Sequence, residues 1–330
     1  MGGEKTMITR RNFAALALSV TAGLLTNSPY ARANDKQLVY LSAGIEAPFW
    51  RYVSKGAEAT AAAHKYQFMV LDSRNNAQSQ LRNAQDAIVK GAAGIVLSPT
   101  DSSTAPAVLD LATRGGVPLS FAGIGTTSGD YTTFVTSDDE AGAYSVGQEM
   151  AKALKAKGWN NAEIGLIQIS QARQNGVKRT NGFVKAVTDA GHKIVARNEM
   201  QLYTADETYR FVQDMLTAHP NLRGIFVQTD TPTLGAVRAV AALRRGADTL
   251  VAAFDGTPEF VPLIKDGSIL ASGMQQPFLM GKQAAESVIA KIDGQSPAKE
   301  EVLPILIVTA ENIEAQLPIL RENVFANELK

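Results

Sequence analysis

The chain has 330 residues, of which 45% are hydrophobic and 19% charged, ordinary values for a folded globular protein of about two domains. Lys+Arg and Asp+Glu number 32 each, so no basic surplus directs the chain to nucleic acid or to an anionic membrane surface. There is no cysteine, which excludes disulfides, thiolate nucleophiles and cysteine-ligated metal sites.

The first 33 residues read as an address. Thr9-Arg10-Arg11-Asn12-Phe13 precedes an uncharged run from Ala14 to Tyr30, and Ala31-Arg32-Ala33 then forms a small-x-small cleavage pattern. The clearly apolar part, Phe13 to Leu25, falls short of the roughly 20 residues a membrane span needs. This order of basic, apolar and cleavable parts predicts an export signal removed near Asn34. Its paired arginines resemble a twin-arginine signal, with general secretory export as the other route, and either Met1 or Met7 is the start. Beyond this segment 28 basic residues face 31 acidic ones, a mildly acidic body.

From Lys36 onward, short apolar runs alternate with helical stretches. The runs predict strands at Gln37–Ser42, Gln67–Asp72, Gly94–Ser98, Pro118–Ala122 and Thr133–Val135. A second series falls at Glu163–Ile169, Lys193–Leu202, Gly224–Gln228, Leu250–Phe254 and Ile269–Met274. Gly94-Ile95-Val96-Leu97 and Gly224-Ile225-Phe226-Val227 are apolar without alternation, as in strands buried on both faces of a parallel sheet. Stripes at 3.6-residue spacing, such as Leu81, Ala84, Ile88 and Phe211, Met215, Leu216, predict the helices between them. Strand–helix alternation means right-handed βαβ units. The chain also nearly repeats itself at an offset of about 130 residues. Gly94 to Asp101 is echoed by Gly224 to Asp230, Arg114-Gly115-Gly116 by Arg245-Gly246-Ala247, and Phe121-Ala122-Gly123 by Phe254-Asp255-Gly256. Two similar doubly wound α/β lobes follow, with function at the carboxyl ends of their strands.

Catalytic patterns are missing. His64, His192 and His219 share no ligand spacing and read as solvated residues near helix ends. No His-Glu-x-x-His, Gly-x-Ser-x-Gly or phosphate-binding loop occurs. Gly123-Ile124-Gly125 lacks the third glycine of a dinucleotide site. Ser137 to Asp139 read as the cap of a helix that starts near Glu140. No enzyme, metal or cofactor is expected.

The strand-end residues carry a resemblance. Ala47-Pro48-Phe49-Trp50, Leu71 to Asn76, Ser98-Pro99-Thr100-Asp101, Ser137 to Gly142, Arg179 to Phe183, Thr229 to Gly235, Phe254 to Pro258 and Gln275-Gln276-Pro277 occur in order, each at a strand end or helix start. Together they resemble ribose-binding-type periplasmic receptors of ABC importers. An export signal stands where the related repressors carry a DNA-binding segment. The resemblance implies a type I periplasmic binding protein: two doubly wound parallel-sheet lobes joined by a three-segment hinge. Lobe one would be 36–137 plus 277–303, and lobe two 138–276 plus 304–330. The chain crosses near Ser137–Asp139, near Gln275 and near Val302–Leu306.

It also implies a site. Phe49 and Trp50 would stack on a sugar, closed from lobe two by Tyr203. Arg179 would grip ring and hydroxyl oxygens, Asp255 would accept from vicinal hydroxyls, Gln275 could both donate and accept at a crossing, and Thr229 would also touch the ligand. Read without the resemblance, Phe49 and Trp50 could be core residues, Arg179 a solvated arginine and Asp255 a turn residue. Several positions depart from the family pattern. Ala47, Ser98 and Thr229 stand where asparagines are expected, and Gly123 and Ile124 where an aspartate and an arginine are expected. Glu46 is a candidate replacement carboxylate. The ligand implied is a small sugar or polyol other than ribose. It would be delivered by a monomeric periplasmic protein to a membrane permease or, alternatively, presented to a sensor kinase or chemoreceptor.

Overall fold

The computed structural model describes residues 37–329; the predicted export signal lies outside them. The first sheet contains β1 (Gln37–Ser42), β2 (Gln67–Asp72), β3 (Gly94–Leu97), β4 (Leu119–Ala122), β5 (Phe134–Ser137) and β11 (Glu300–Leu303), in the order β11-β5-β4-β3-β1-β2. The second contains β6 (Glu163–Gln168), β7 (Lys193–Glu199), β8 (Leu222–Val227), β9 (Leu250–Phe254), β10 (Ala271–Met274) and β12 (Leu306–Thr309), in the order β12-β10-β9-β8-β6-β7. The two orders are the same, so the sequence echoes pair β3 with β8 and β4 with β9 as equivalent strands.

Both faces of each sheet are covered, which explains the uninterrupted apolar runs. Leu38, Tyr40 and Val96 face α1 (Pro48–Ala63) and α9 (Pro277–Ile292). Their neighbours Val39, Leu41, Ile95 and Leu97 face α2 (Ala77–Val89) and α3 (Ala105–Arg114). In the second lobe Ile167, Ile225 and Val227 face α6 (Ala205–Ala218) and α7 (Asp230–Ala242). Leu166, Phe226 and Phe254 face α4 (Asp139–Ala156) and α5 (Gln174–Asp189).

The chain passes between the sheets three times: from β5 into α4, from β10 into α9, and from β11 into β12. The last passage sets a strand direction. β11 runs parallel to β5 and leaves the first sheet at its carboxyl edge. Two residues later β12 enters the second sheet from that edge, so it must run antiparallel to β10, and does. Every other pairing within the sheets is parallel.

Some sequence expectations need correction. β11 and β12 were absent from the predicted strands; Glu300-Glu301-Val302-Leu303 is half exposed at a sheet edge and carries no apolar run. Leu81 is exposed, because α2 turns Gln80, Ala84 and Ala87 inward instead. Gln80 spends its amide on the Ser98 carbonyl and the Thr100 N–H. His192 is buried rather than solvated, and its Nδ1 accepts from the Ala162 N–H. Past β12, α10 (Ile313–Ile319) and a π-helical turn at Leu320–Val324 add Ile313, Leu320, Val324 and Phe325 to the core of the second lobe. Glu328 then reaches α1 of the first lobe, accepting from Arg51, Tyr52 and Lys55.

Candidate ligand-binding site

The carboxyl ends of both sheets face one cleft, where doubly wound proteins bind ligands. A cavity there holds about 520 Å³ of free space, its solvent-open mouth included. Ala47, Phe49, Trp50 and Asn75 line it from the first lobe, and Arg173, Asn175, Arg179, Tyr203, Thr229, Asp230 and Asp255 from the second.

The polar centre is Arg179. It lies on α5, which packs directly on α4 because Gly182 has no side chain. A Cβ there would meet the Glu140 carbonyl oxygen at 2.1 Å. One turn earlier on the same face, Arg179 therefore reaches Asp139. Its Nε donates to Asp139 Oδ1 at 2.7 Å. Its Nη1 donates to Asp255 Oδ2 at 2.9 Å and to the Gln228 carbonyl at 2.7 Å. All three charged residues are at most 4% exposed. Asp138 caps α4 by accepting from the Ala141 N–H, so Asp139 is freed for the ion pair and is not a cap. Burial pushes Asp139 up to about 6 even though Arg179 pulls it down. Burial disfavours the charge on Arg179 too, but Asp255 and Asp139 more than offset this and its pKa is raised.

Asp255 follows β9 with φ of 62°, a left-handed conformation uncommon outside glycine but better tolerated by Asp and Asn. The twist aims its carboxylate into the cleft. Oδ1 accepts from Gln275 Nε2 at 2.7 Å, and Oδ2 also accepts from Thr229 Oγ1 at 3.3 Å. Gln275 does not line the cavity; it holds Asp255 from behind. Tyr203 and Asn75 share the left-handed backbone, at φ of 57° and 53°. Tyr203 is fixed by accepting from the Ser170 N–H at 3.0 Å.

The apolar wall comes from α1. Phe49 and Trp50 meet edge to face with centroids 4.7 Å apart. Gly123 shows why the expected aspartate is absent: its φ is +80°, and a Cβ would sit 3.3 Å from the Trp50 ring. Ile124 is buried in the core of the first lobe rather than exposed on the wall. Ser98 is spent internally, accepting from Tyr40 and donating to the Ala122 carbonyl. Glu46 is a correction. It is exposed in the turn closed by Ala47 N–H to Gly44 O, and does not line the cavity.

Four polar lining residues were not singled out from the sequence: Asn75, Arg173, Asn175 and Asp230. Three of them join the lobes. Arg173 Nε donates to the Thr100 carbonyl and Nη2 to Asn75 Oδ1, each at 2.9 Å. Asp230 Oδ2 accepts from the Phe49 N–H at 3.3 Å. That N–H is an orphan of the first turn of α1, whose N-cap, Ala47, has no side-chain acceptor. A carboxylate from the opposite lobe thus caps the helix.

Burial, then the neighbouring Asp255, push Asp230 up to about 7. An acid raised by burial in the closed form takes up a proton that the open form has already released. Closure of the ligand-free protein should therefore be favoured as pH falls, and the gain lost as pH rises through about 7. Small-angle scattering at about pH 5.5 and about pH 8 should show the more compact particle at the lower pH, and Asp230→Asn should remove the difference. An unchanged radius in the parent protein would contradict this.

Among the described residues, no group of three or more His, Cys, Asp or Glu side chains could hold a metal ion, and no helix is long and apolar enough to cross a membrane. What fold and cleft define together is a two-lobed ligand-binding protein with its site at the lobe interface. The chain belongs to the periplasmic binding protein family, whose domain profile matches residues 38–296. It is 31% identical over 287 residues to the ribose import binding protein RbsB of Salmonella typhimurium, covering 86% of this chain and 94% of that one. The structure is similar to a carbohydrate transporter solute-binding protein of Agrobacterium radiobacter in complex with D-arabinose (TM-score 0.82, 21% identity, 89% of this chain and all of that one). It is also similar to an ABC transporter solute-binding protein of Mycobacterium smegmatis with bound glycerol (TM-score 0.79, 26% identity, 84% of this chain and 96% of that one).

Proposed function

We propose that this chain is exported, and that it captures a small sugar or polyol between its lobes for delivery to the permease of an ABC importer. One observation carries the reading: a buried Asp255–Arg179–Asp139 triad and the Phe49–Trp50 wall line one cavity in the cleft, with Asp255 and Arg179 at its polar side. The carboxylate accepts from hydroxyls, the free guanidinium edge donates to them, and the rings take the apolar face of the ligand. Among the described residues Arg179 donates through Nε and Nη1 alone, which leaves Nη2 for ligand oxygens. The relatives named for import favour transport over sensing.

The motion proposed is a hinge at the three passages, with lobe one as 36–137 plus 277–303 and lobe two as 138–276 plus 304–330. Tyr203 completes the aromatic enclosure, and Thr229 and Gln275 orient Asp255. The protein acts as a monomer in the periplasm, with the first 33 residues as its export signal.

A thermal-shift panel of pentoses, hexoses, deoxy sugars and polyols tests this, because a ligand that binds only the native state raises its stability. At least one compound should raise the melting temperature. Trp50→Ala should weaken that compound about tenfold through lost ring packing. A panel without a single shift would sink the sugar-receptor reading.

A further inference from the structure

The cavity holds a second buried guanidinium, and its charge is unanswered. Arg179 pairs with two carboxylates. Arg173 is 6% exposed, yet among the described residues no carboxylate lies within ion-pair distance of it. Its hydrogen bonds go to a backbone carbonyl and a neutral amide, and its only other close neighbour of note is the Tyr203 ring, 5.1 Å from the guanidinium carbon. Asp101 acts on it only from a distance; Asp101 Oδ1 is occupied by Ser103 and Thr104 of its own turn. Burial lowers the pKa of Arg173 below the ordinary arginine value. A buried charge without a partner is costly, and a counter-ion that arrives with the ligand removes the cost.

The position of Arg173 fits that role. Nε and one Nη2 hydrogen are spent across the cleft, and Nη1 donates to nothing among the described residues. Asn75, which accepts from Arg173, and Asn175 line the same cavity and bring neutral amides. The Asp255 carboxylate stands with Arg179 instead. The cavity thus holds one guanidinium paired with carboxylates and a second, Arg173, with none in ion-pair distance among the described residues; the other lining carboxylate, Asp230, accepts from the Phe49 and Thr231 N–H groups.

We infer that the ligand is a polyhydroxy acid, whose hydroxyls meet Asp255 and Arg179 and whose carboxylate meets Arg173. This rests on the sugar-receptor reading and narrows it to the acidic members of that class. A guanidinium offers a planar fork that matches a carboxylate, which a neutral sugar hydroxyl cannot use as fully.

Calorimetric titration with matched pairs tests the inference: erythritol against D-erythronate, D-ribose against D-ribonate, D-arabinose against D-arabinonate. At least one acid should bind about tenfold or more tightly than its neutral partner. Arg173→Gln should bring the ratio of acid to neutral affinity close to one, on top of any loss common to both from the broken bonds between the lobes. Arg173→Lys, which keeps the charge, should retain part of the preference and keeps the test open if Arg173→Gln fails to fold. Tight binding of a neutral sugar with no gain for its acid would overturn the inference and leave the receptor reading intact. Equal losses for both partners in Arg173→Gln would assign Arg173 to lobe closure alone and also overturn it. If neither sugars nor acids bind, the receptor reading itself falls.

Discussion

Arg179→Ala is expected to abolish ligand binding and to destabilise the second lobe by about 3–5 kcal/mol. The variant leaves Asp139 and Asp255 facing each other as buried carboxylates with no cation between them. It also removes the donor to the Gln228 carbonyl and the guanidinium over the Phe254 ring. One of the two acids must then take up a proton near neutral pH, so the loss should be smaller in mild acid than at about pH 8. Urea unfolding at the two pH values measures it. A variant as stable as the parent at both would show that the triad is not a structural centre.

Asp255→Asn is expected to fold but to bind its ligand at least about a hundredfold more weakly. Asparagine tolerates the left-handed backbone at φ of 62°, so the change tests charge rather than strain. It weakens the bonds from Arg179 Nη1, Thr229 and Gln275, and replaces one acceptor oxygen by a donor. Arg179 keeps Asp139, so the stability cost should be well below that of Arg179→Ala. Calorimetry and thermal melting on the same preparation separate the two effects. Parent-like affinity would move the site elsewhere.

Much of this was legible in the sequence. Strands covered on both faces leave uninterrupted apolar runs, and equivalent strands of two like lobes leave the echo between Gly94 and Gly224. Phe49, Trp50, Tyr203, Thr229 and Asp255 stand close to strand ends or helix starts, Arg179 stands in the second turn of α5, and all line the cavity. What escaped depends on contact across the cleft. Arg173 looks like any arginine at the start of a helix until Thr100 and Asn75 meet it. Asp230 reads as a helix-start acid of its own lobe, whereas it caps α1 in the other. Asp139 was misread because acids are common at helix starts, and only the close approach at Gly182 reveals its partner. Glu46 erred the other way: it is close to the site in sequence, but its turn faces solvent. Residues 300–303 gave no strand signal because that strand is a short edge with mixed burial, whereas the apolar run Leu306–Thr309 was passed over as part of a crossing.

The most direct test of the central claim is a crystal structure grown with the tightest compound from the thermal-shift panel. The ligand should lie between the lobes, with hydroxyl oxygens within hydrogen-bond reach of Asp255 and Arg179 Nη2, and with its apolar face on Trp50. A ligand seated outside this cleft, or held in it without contact to Asp255 and Arg179, would contradict the account.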